Sequence, residues 1–236
     1  WKLLTEGYPG ANESIKLLIL KASRTTLDLP RFSDTFKGEL IEKWVEAAKA
    51  PWGSPLIQPI LDAAIRKSPV DGASLDFALR LVKGLSPKDQ LDVVSAGIKN
   101  KFSAAFYQIK YLKPEDRTAV ISEGLRSSTN WIAEDAAKTI HVAPDDAKGK
   151  LIQDALSDPR FNIRSAATSA IGEVKDPDLK IQLLRKVAED PDSLVRTLAS
   201  KVVSGLSPSE LALYNAPEIT AVTDGMDKCL IRETLK

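Results

Sequence analysis

Residues 158–174 read DPRFNIRSAATSAIGEV, and residues 190–206, thirty-two positions later, read DPDSLVRTLASKVVSGL. Laid over each other, they place Asp158 on Asp190, Pro159 on Pro191, Ile163 on Val195, Arg164 on Arg196, Ala167 on Ala199 and Ile171 on Val203. The apolar matches fall four and eight residues apart, which sets them on one face of a helix. The chain therefore repeats a buried helical face rather than a surface motif.

The register extends backward. A closing aliphatic column runs Val82, Ile109, Ile140, Ile171 and Val203, and four residues before each stands Ala78, Ala105, Ala136, Ala167 and Ala199. A small side chain is wanted there because two helices of a hairpin approach closely only where no larger group holds them apart. Alanine also has the best helix propensity. Beyond each column comes a proline, at Pro87, Pro114, Pro144, Pro177 and Pro208, followed within two places by Asp89, Asp116, Asp146, Asp178 or Glu210. Proline in the first turn wastes no intrahelical donor, and the acid meets the positive end of the helix dipole. Ser86, Asp176 and Ser207 stand as N-caps, whereas Lys113 and Ala143 in the same place cannot cap through a side chain. A further apolar column, Val94, Ile121, Leu151 and Leu184, lies seven residues after the proline. Each unit is helix, turn, helix, stop.

The prolines are 27, 30, 33 and 31 residues apart, the length of one helical hairpin and within the range of stacked arrays. The pattern predicts an all-α chain, an α-solenoid of stacked antiparallel hairpins with about ten to thirteen helices. Residues 1–54 are expected to form an atypical N-terminal helical cap, with helices in NESIKLLILKA from Asn12 and FKGELIEKWVEAAKA from Phe36. The array is expected over 55–207. In APWGSPLIQP, 50–59, the density of Pro and Gly reads as a turn, or a hinge, feeding a helix around Ile60 to Ile65. Residues 208–236 are expected to be a C-terminal cap with a short last helix from Met226.

The form of the copies, an acid and proline, then an aliphatic residue with arginine, then alanines and a closing aliphatic, resembles HEAT-like repeats, most clearly over 144–206. The resemblance implies a solenoid whose second helices line a concave face. It also implies a scaffold or recognition module, the commonest role in that family, while a minority act on DNA or attach pigments.

Composition bounds the chemistry. Lys plus Arg is 33 and Asp plus Glu 32, a net charge of +1, so no long-range field gathers nucleic acid or an anionic membrane. With one cysteine, Cys229, and one histidine, His141, neither a disulfide within the chain nor a cysteine or multi-histidine metal cage is expected. No apolar run is long enough to span a bilayer, and no export signal is recognisable. The chain begins with Trp1 rather than Met, as a processed form or a piece of a longer protein would. His141 reads as an end-of-helix group. The acid pairs Glu134 and Asp135, Asp145 and Asp146, and Asp190 and Asp192 read as structural, two of them at helix starts. Arg164 and Arg196 read as rungs of an Arg–Asp ladder along the stack. Lys99, Phe102, Phe106, Tyr107, Lys110, Tyr111 and Lys113 mix bases with aromatics, but the bases face different sides of the helix, which argues against a nucleic-acid platform.

The expected function is thus a non-catalytic module binding a protein or peptide, with no cofactor and no metal. The alternative is the helical domain of a larger enzyme, or a small HEAT-like enzyme acting on DNA or a pigment. On the second helices, positions two and six before the closing aliphatic point away from the hairpin partner: Arg80 with Asp76, Tyr107 with Ser103, Lys138 with Glu134, Ser169 with Ser165, and Lys201 with Thr197. Trp131 lies on the same stripe. Tyr107, Trp131 and Lys138 are expected to contact the partner, with Arg80 and Lys201 at the rim.

Overall fold

A computed structural model describes residues 7–24, 34–66 and 70–216. Thirteen α-helices occupy them, and among the described residues there is no strand. Two precede the array, α1 (Glu13–Ser23) and α2 (Asp34–Lys49). The hairpins are α3 (Ser54–Leu61) with α4 (Gly72–Leu81), α5 (Pro87–Lys99) with α6 (Ala104–Gln108), and α7 (Pro114–Leu125) with α8 (Asn130–Lys138). They continue with α9 (Asp145–Leu156) and α10 (Phe161–Ala170), then α11 (Pro177–Ala188) and α12 (Ser193–Val203), and α13 (Pro208–Asn215) follows. First helices pack on first helices and second on second, giving two layers with one continuous core between them.

The columns are what fill that core. All five alanines are buried, as are Val94, Ile121, Leu151 and Leu184. The first four closing aliphatics are buried too, and each opens a single 3₁₀ turn, at Val82, Ile109, Ile140 and Ile171, that stops the second helix. Val203 is only partly buried, because the full hairpin that covers its counterparts is replaced by α13. Ser86 and Asp176 cap α5 and α11 by accepting from backbone N–H groups, and Ser207 with Glu210 forms a capping box on α13. Lys113 makes no side-chain cap.

One register needs correction. In α5, α7, α11 and α13 the proline is the first helical residue, but Pro144 is itself the N-cap of α9, so the helix begins at Asp145. The equivalent of Ile121 is therefore Ile152 rather than Leu151, and both are buried. Proline serves either position because its φ near −65° suits an extended cap as well as a first turn.

The alanine column works as a close crossing. A Cβ on Gly97 would lie 2.7 Å from the Ala105 Cβ, and one on Gly124 would lie 2.8 Å from the Ala136 Cβ. Carbon atoms settle at about 3.5–4.0 Å, so α5 and α6, and α7 and α8, meet where only glycine opposite alanine fits.

At the N-terminal end, the Asn12 side chain caps α1 as the sequence indicates. The stretch 50–59 is tighter than a turn or hinge. Pro51–Gly53 forms a 3₁₀ turn, α3 starts at Ser54 and contains Pro59, and a wider π turn follows over Asp62–Arg66. Gly53 is buried, and a Cβ there would fall 1.9 Å from the Ala47 carbonyl oxygen, so the segment is wedged against α2. The expected last helix from Met226, and Cys229, lie outside the described residues.

Candidate functional site

The Arg–Asp ladder exists in one complete rung. Arg164 donates from Nε and Nη2 to the two carboxylate oxygens of Asp190 in the next unit, at 2.7 and 2.9 Å, and from Nη1 to the Asp158 and Pro159 carbonyls. Both side chains are about nine-tenths buried, and the guanidinium holds the Asp190 carboxyl below its ordinary range. Asp158 turns instead to Arg160, which also reaches the Ser127 carbonyl of the preceding unit. Arg196 repeats the contacts to its own Asp190 and Pro191 carbonyls but is exposed, and no carboxylate of a following unit meets it among the described residues. Arg160 and Arg164 tie units together, whereas Arg196 bonds only within its own unit.

Open surface lies on the second helices. A groove of about 420 Å³ runs across α8, α10 and α12, lined among others by Glu134, Lys138, His141, Phe161, Ser169 and Leu194. A second, of about 260 Å³, lies between α6 and α8 and takes in Tyr107, Lys110, Asp135, Lys138 and His141. Lys138 and His141 belong to both, so the two are halves of one trough along the stack.

Its floor is a paired polar network. Glu134 accepts from Lys138, at 2.6 Å, and from the Asn162 amide of the next unit, at 2.7 Å, and these bonds hold its carboxyl below the usual range. Asp135 accepts from Ser103 of the preceding unit at 2.6 Å. The acid pair is thus split between two neighbours, and its function is stitching. Lys138 is raised by the same hydrogen bond with Glu134. His141 stands on the 3₁₀ turn with Nδ1 2.9 Å from the Lys138 carbonyl oxygen, the expected end-of-helix contact, while its ring faces the trough.

The five residues expected at the partner surface divide. Tyr107 is 75% exposed and lines the trough with Lys138. Trp131 is 44% exposed, on the first turn of α8 and one turn before Glu134, so it is not a core residue. Arg80 is exposed but paired with Asp76 at 2.8 Å. Lys201 is exposed in the last turn of α12, and none of Trp131, Arg80 and Lys201 lines the trough. Sequence reasoning missed Phe161 and Leu194, each 49% exposed at the start of α10 and α12. A signal was available: Leu194 and Trp131 both stand nine residues before their closing aliphatic, with Phe161 one place earlier.

The aromatic stretch 99–113 is not one platform. Phe106 is in the core and Phe102 is half-buried beside Gly72, while Tyr107 and Tyr111 are exposed. Among the described residues no three His, Cys, Asp or Glu side chains gather to hold a metal ion, and no helix is long and apolar enough to cross a membrane.

Comparison with known proteins bears on the fold. The family described as HEAT repeats matches residues 113–204, the span of α7 to α12. No curated protein matches the chain. Among solved structures, the crystal structure of an engineered protein aligns over 82% of this chain and 96% of that one, at 14% identity and a TM-score of 0.42. Residues 113–204 are HEAT-like repeats, set in an all-α solenoid.

Proposed function

We propose that the chain is a protein- or peptide-binding scaffold that receives its partner in the trough along the second helices. The observation that carries this reading is a trough whose wall carries the half-exposed Phe161 and Leu194, with Trp131 half-exposed on the neighbouring second helix, beside Glu134, Lys138 and Asn162, which satisfy one another. Surface apolar residues scattered singly need no explanation, but an aligned set rimmed by polar groups is the composition of an interaction site. Tyr107 and Lys138 extend the contact toward α6, and Arg80 and Lys201 are assigned to the rim. HEAT repeats in general mediate protein interactions, which favours the same reading.

The experiment is a comparison of the parent with the double variant Tyr107→Ala, Trp131→Ala. Quantitative capture of cell proteins on each is read beside a thermal melt. The expected result is loss of a specific set of bound proteins with the melt unchanged. Equal capture by both, with equal melts, would reduce the trough to solvated surface.

A further inference from the structure

The N-terminal end of the molecule holds a cleft that the stacking of the array does not explain. It lies between α1, α2 and α3, and its volume of about 480 Å³ is within the range of small-molecule sites. Its wall is apolar. Leu17 and Leu18 come from α1 and Leu56 from α3, where Pro55 and Pro59, four residues apart, set two rings on one side of the helix. Leu18 is 68% exposed, more than any other large aliphatic side chain among the described residues, so the wall is open.

Charge selects the occupant. The lining carries two cations, Lys21 in the last turn of α1 and Arg24 at its C-cap, and no acid. Neither makes a hydrogen bond or ion pair with a carboxylate among the described residues. Arg24 lies 5.4 Å over the Phe77 ring, and the Asp71 carboxyl, held below its ordinary range chiefly by Ser74, feels Arg24 only through space. Two positive charges outweigh the negative end of the α1 dipole, which amounts to about half a charge, so the cleft attracts an anion.

The floor adds a donor. Trp44 lines the cleft although it is only 1% exposed, and its Nε1 is the one buried side-chain polar atom without a hydrogen-bond partner among the described residues. A buried donor left unpaired is destabilising, and an acceptor that reaches it binds with that advantage. Beyond Trp44 and the two cations, the lining side chains offer only the Ser14 hydroxyl, too little to satisfy the amides of a peptide. An alkyl chain asks for no such partners.

We propose that the cleft between α1, α2 and α3 binds a fatty-acid-like ligand, its carboxylate held by Lys21 and Arg24 and taking the Trp44 N–H, its alkyl chain laid over Leu17, Leu18, Leu56 and the two proline rings. The site shares no residue with the trough and does not depend on the scaffold reading.

Decanoate, kept below the concentration at which it forms micelles, is titrated into the full chain. Binding is followed by calorimetry and by the indole N–H resonances of the four tryptophans, that of Trp44 being identified by its loss in Trp44→Phe. The expected result is one saturable site that prefers decanoate at least tenfold over 1-decanol and does not take decyltrimethylammonium. The Trp44 resonance should move while that of Trp131 stays. Lys21→Gln with Arg24→Gln should weaken decanoate at least tenfold and leave 1-decanol unchanged, and Leu18→Asp should weaken both, each with an unchanged melt. Equal affinity for decanoate and 1-decanol, or affinity indifferent to the loss of both cations, overturns the inference. So does a Trp44 resonance that stays in place at saturation, or binding of none of the probes. Tighter binding of acetyl-Leu-Leu than of decanoate would assign the cleft to a peptide C-terminus and overturn the alkyl ligand.

Discussion

Replacing Gly124 with alanine should destabilise the protein, although the same change on an open helix face does the opposite. In the interior of a helix, Gly→Ala gains about 1 kcal/mol from backbone propensity alone. At Gly38 in α2, where a Cβ would meet nothing within 4 Å, that gain should appear undiminished. At Gly124 the new methyl would sit 2.8 Å from the Ala136 Cβ and 3.0 Å from the Phe106 ring, about 1 Å inside normal contact. Since Ala136 is fixed on α8 and Phe106 is buried, α7 and α8 must separate, and overpacking of this kind costs about 1–3 kcal/mol. The expected net loss is about 1 kcal/mol, so the two variants should differ by about 2 kcal/mol in urea unfolding, with no change in the slope of the transition. Ala136→Gly removes the opposing methyl, so the double variant should recover part of the loss, as a favourable coupling of about 1 kcal/mol. Equal stabilisation by Gly124→Ala and Gly38→Ala, or strict additivity of the pair, would refute the close crossing and the role given to the alanine column.

Other outcomes follow from the same contacts. Ala167→Leu, which pushes a larger side chain into a buried position of that column, should cost about 1–3 kcal/mol in denaturant melts, where an exposed alanine would tolerate it. Asp190→Ala leaves Arg164 with its two carbonyl partners but no carboxylate, and should cost about 3 kcal/mol, near the low end for breaking a buried pair. Asp190 and Glu134 are held below their ordinary range by Arg164 and Lys138 respectively, and Glu210 is held down to about 2, chiefly by Lys180. A depressed carboxyl stabilises the fold above its unfolded pKa of about 4 and loses that contribution as pH falls through the folded value. Melting temperature should thus be flat from pH 7 to about 5 and drop below about 4, with a smaller drop in Asp190→Asn. Lys101, the one described non-glycine residue with positive φ, at 63°, closes α5 with the Phe102 N–H bonded to the Gly97 carbonyl. Lys101→Gly should stabilise by about 0.5–1 kcal/mol in the same melts, because the left-handed position costs a side chain more than it costs glycine.

The hairpin layers were legible in the sequence because burial imposes a period. Ala105, Ala136 and Ala167 recur in register for one steric reason, and so do the aliphatics that follow them. What escaped was decided by pairs rather than by single residues. Pro144 looks like Pro114 in sequence, and only the backbone distinguishes a cap from a first turn. Arg164 had two acids within reach, and Asp158 was already engaged by Arg160, a choice no spacing records. Phe161 and Leu194 lie off the stripe two and six places before the closing aliphatic, ten and nine residues before it, and only the structure shows them half-exposed. The exposure of Tyr107 and Trp131 was legible because they interrupt an otherwise polar stripe.

The central claim is that a partner occupies the second-helix trough, and site-specific photo-cross-linking reads this directly. A photoreactive residue is placed at Ser169, exposed on α10 within the trough, and in a separate protein at Gln182, exposed on α11 in the first-helix layer. The account predicts cross-links from position 169 that vanish when Trp131→Ala and Phe161→Ala are added, with none above background from position 182. Cross-links of equal yield from both positions, or from 182 alone, would contradict it.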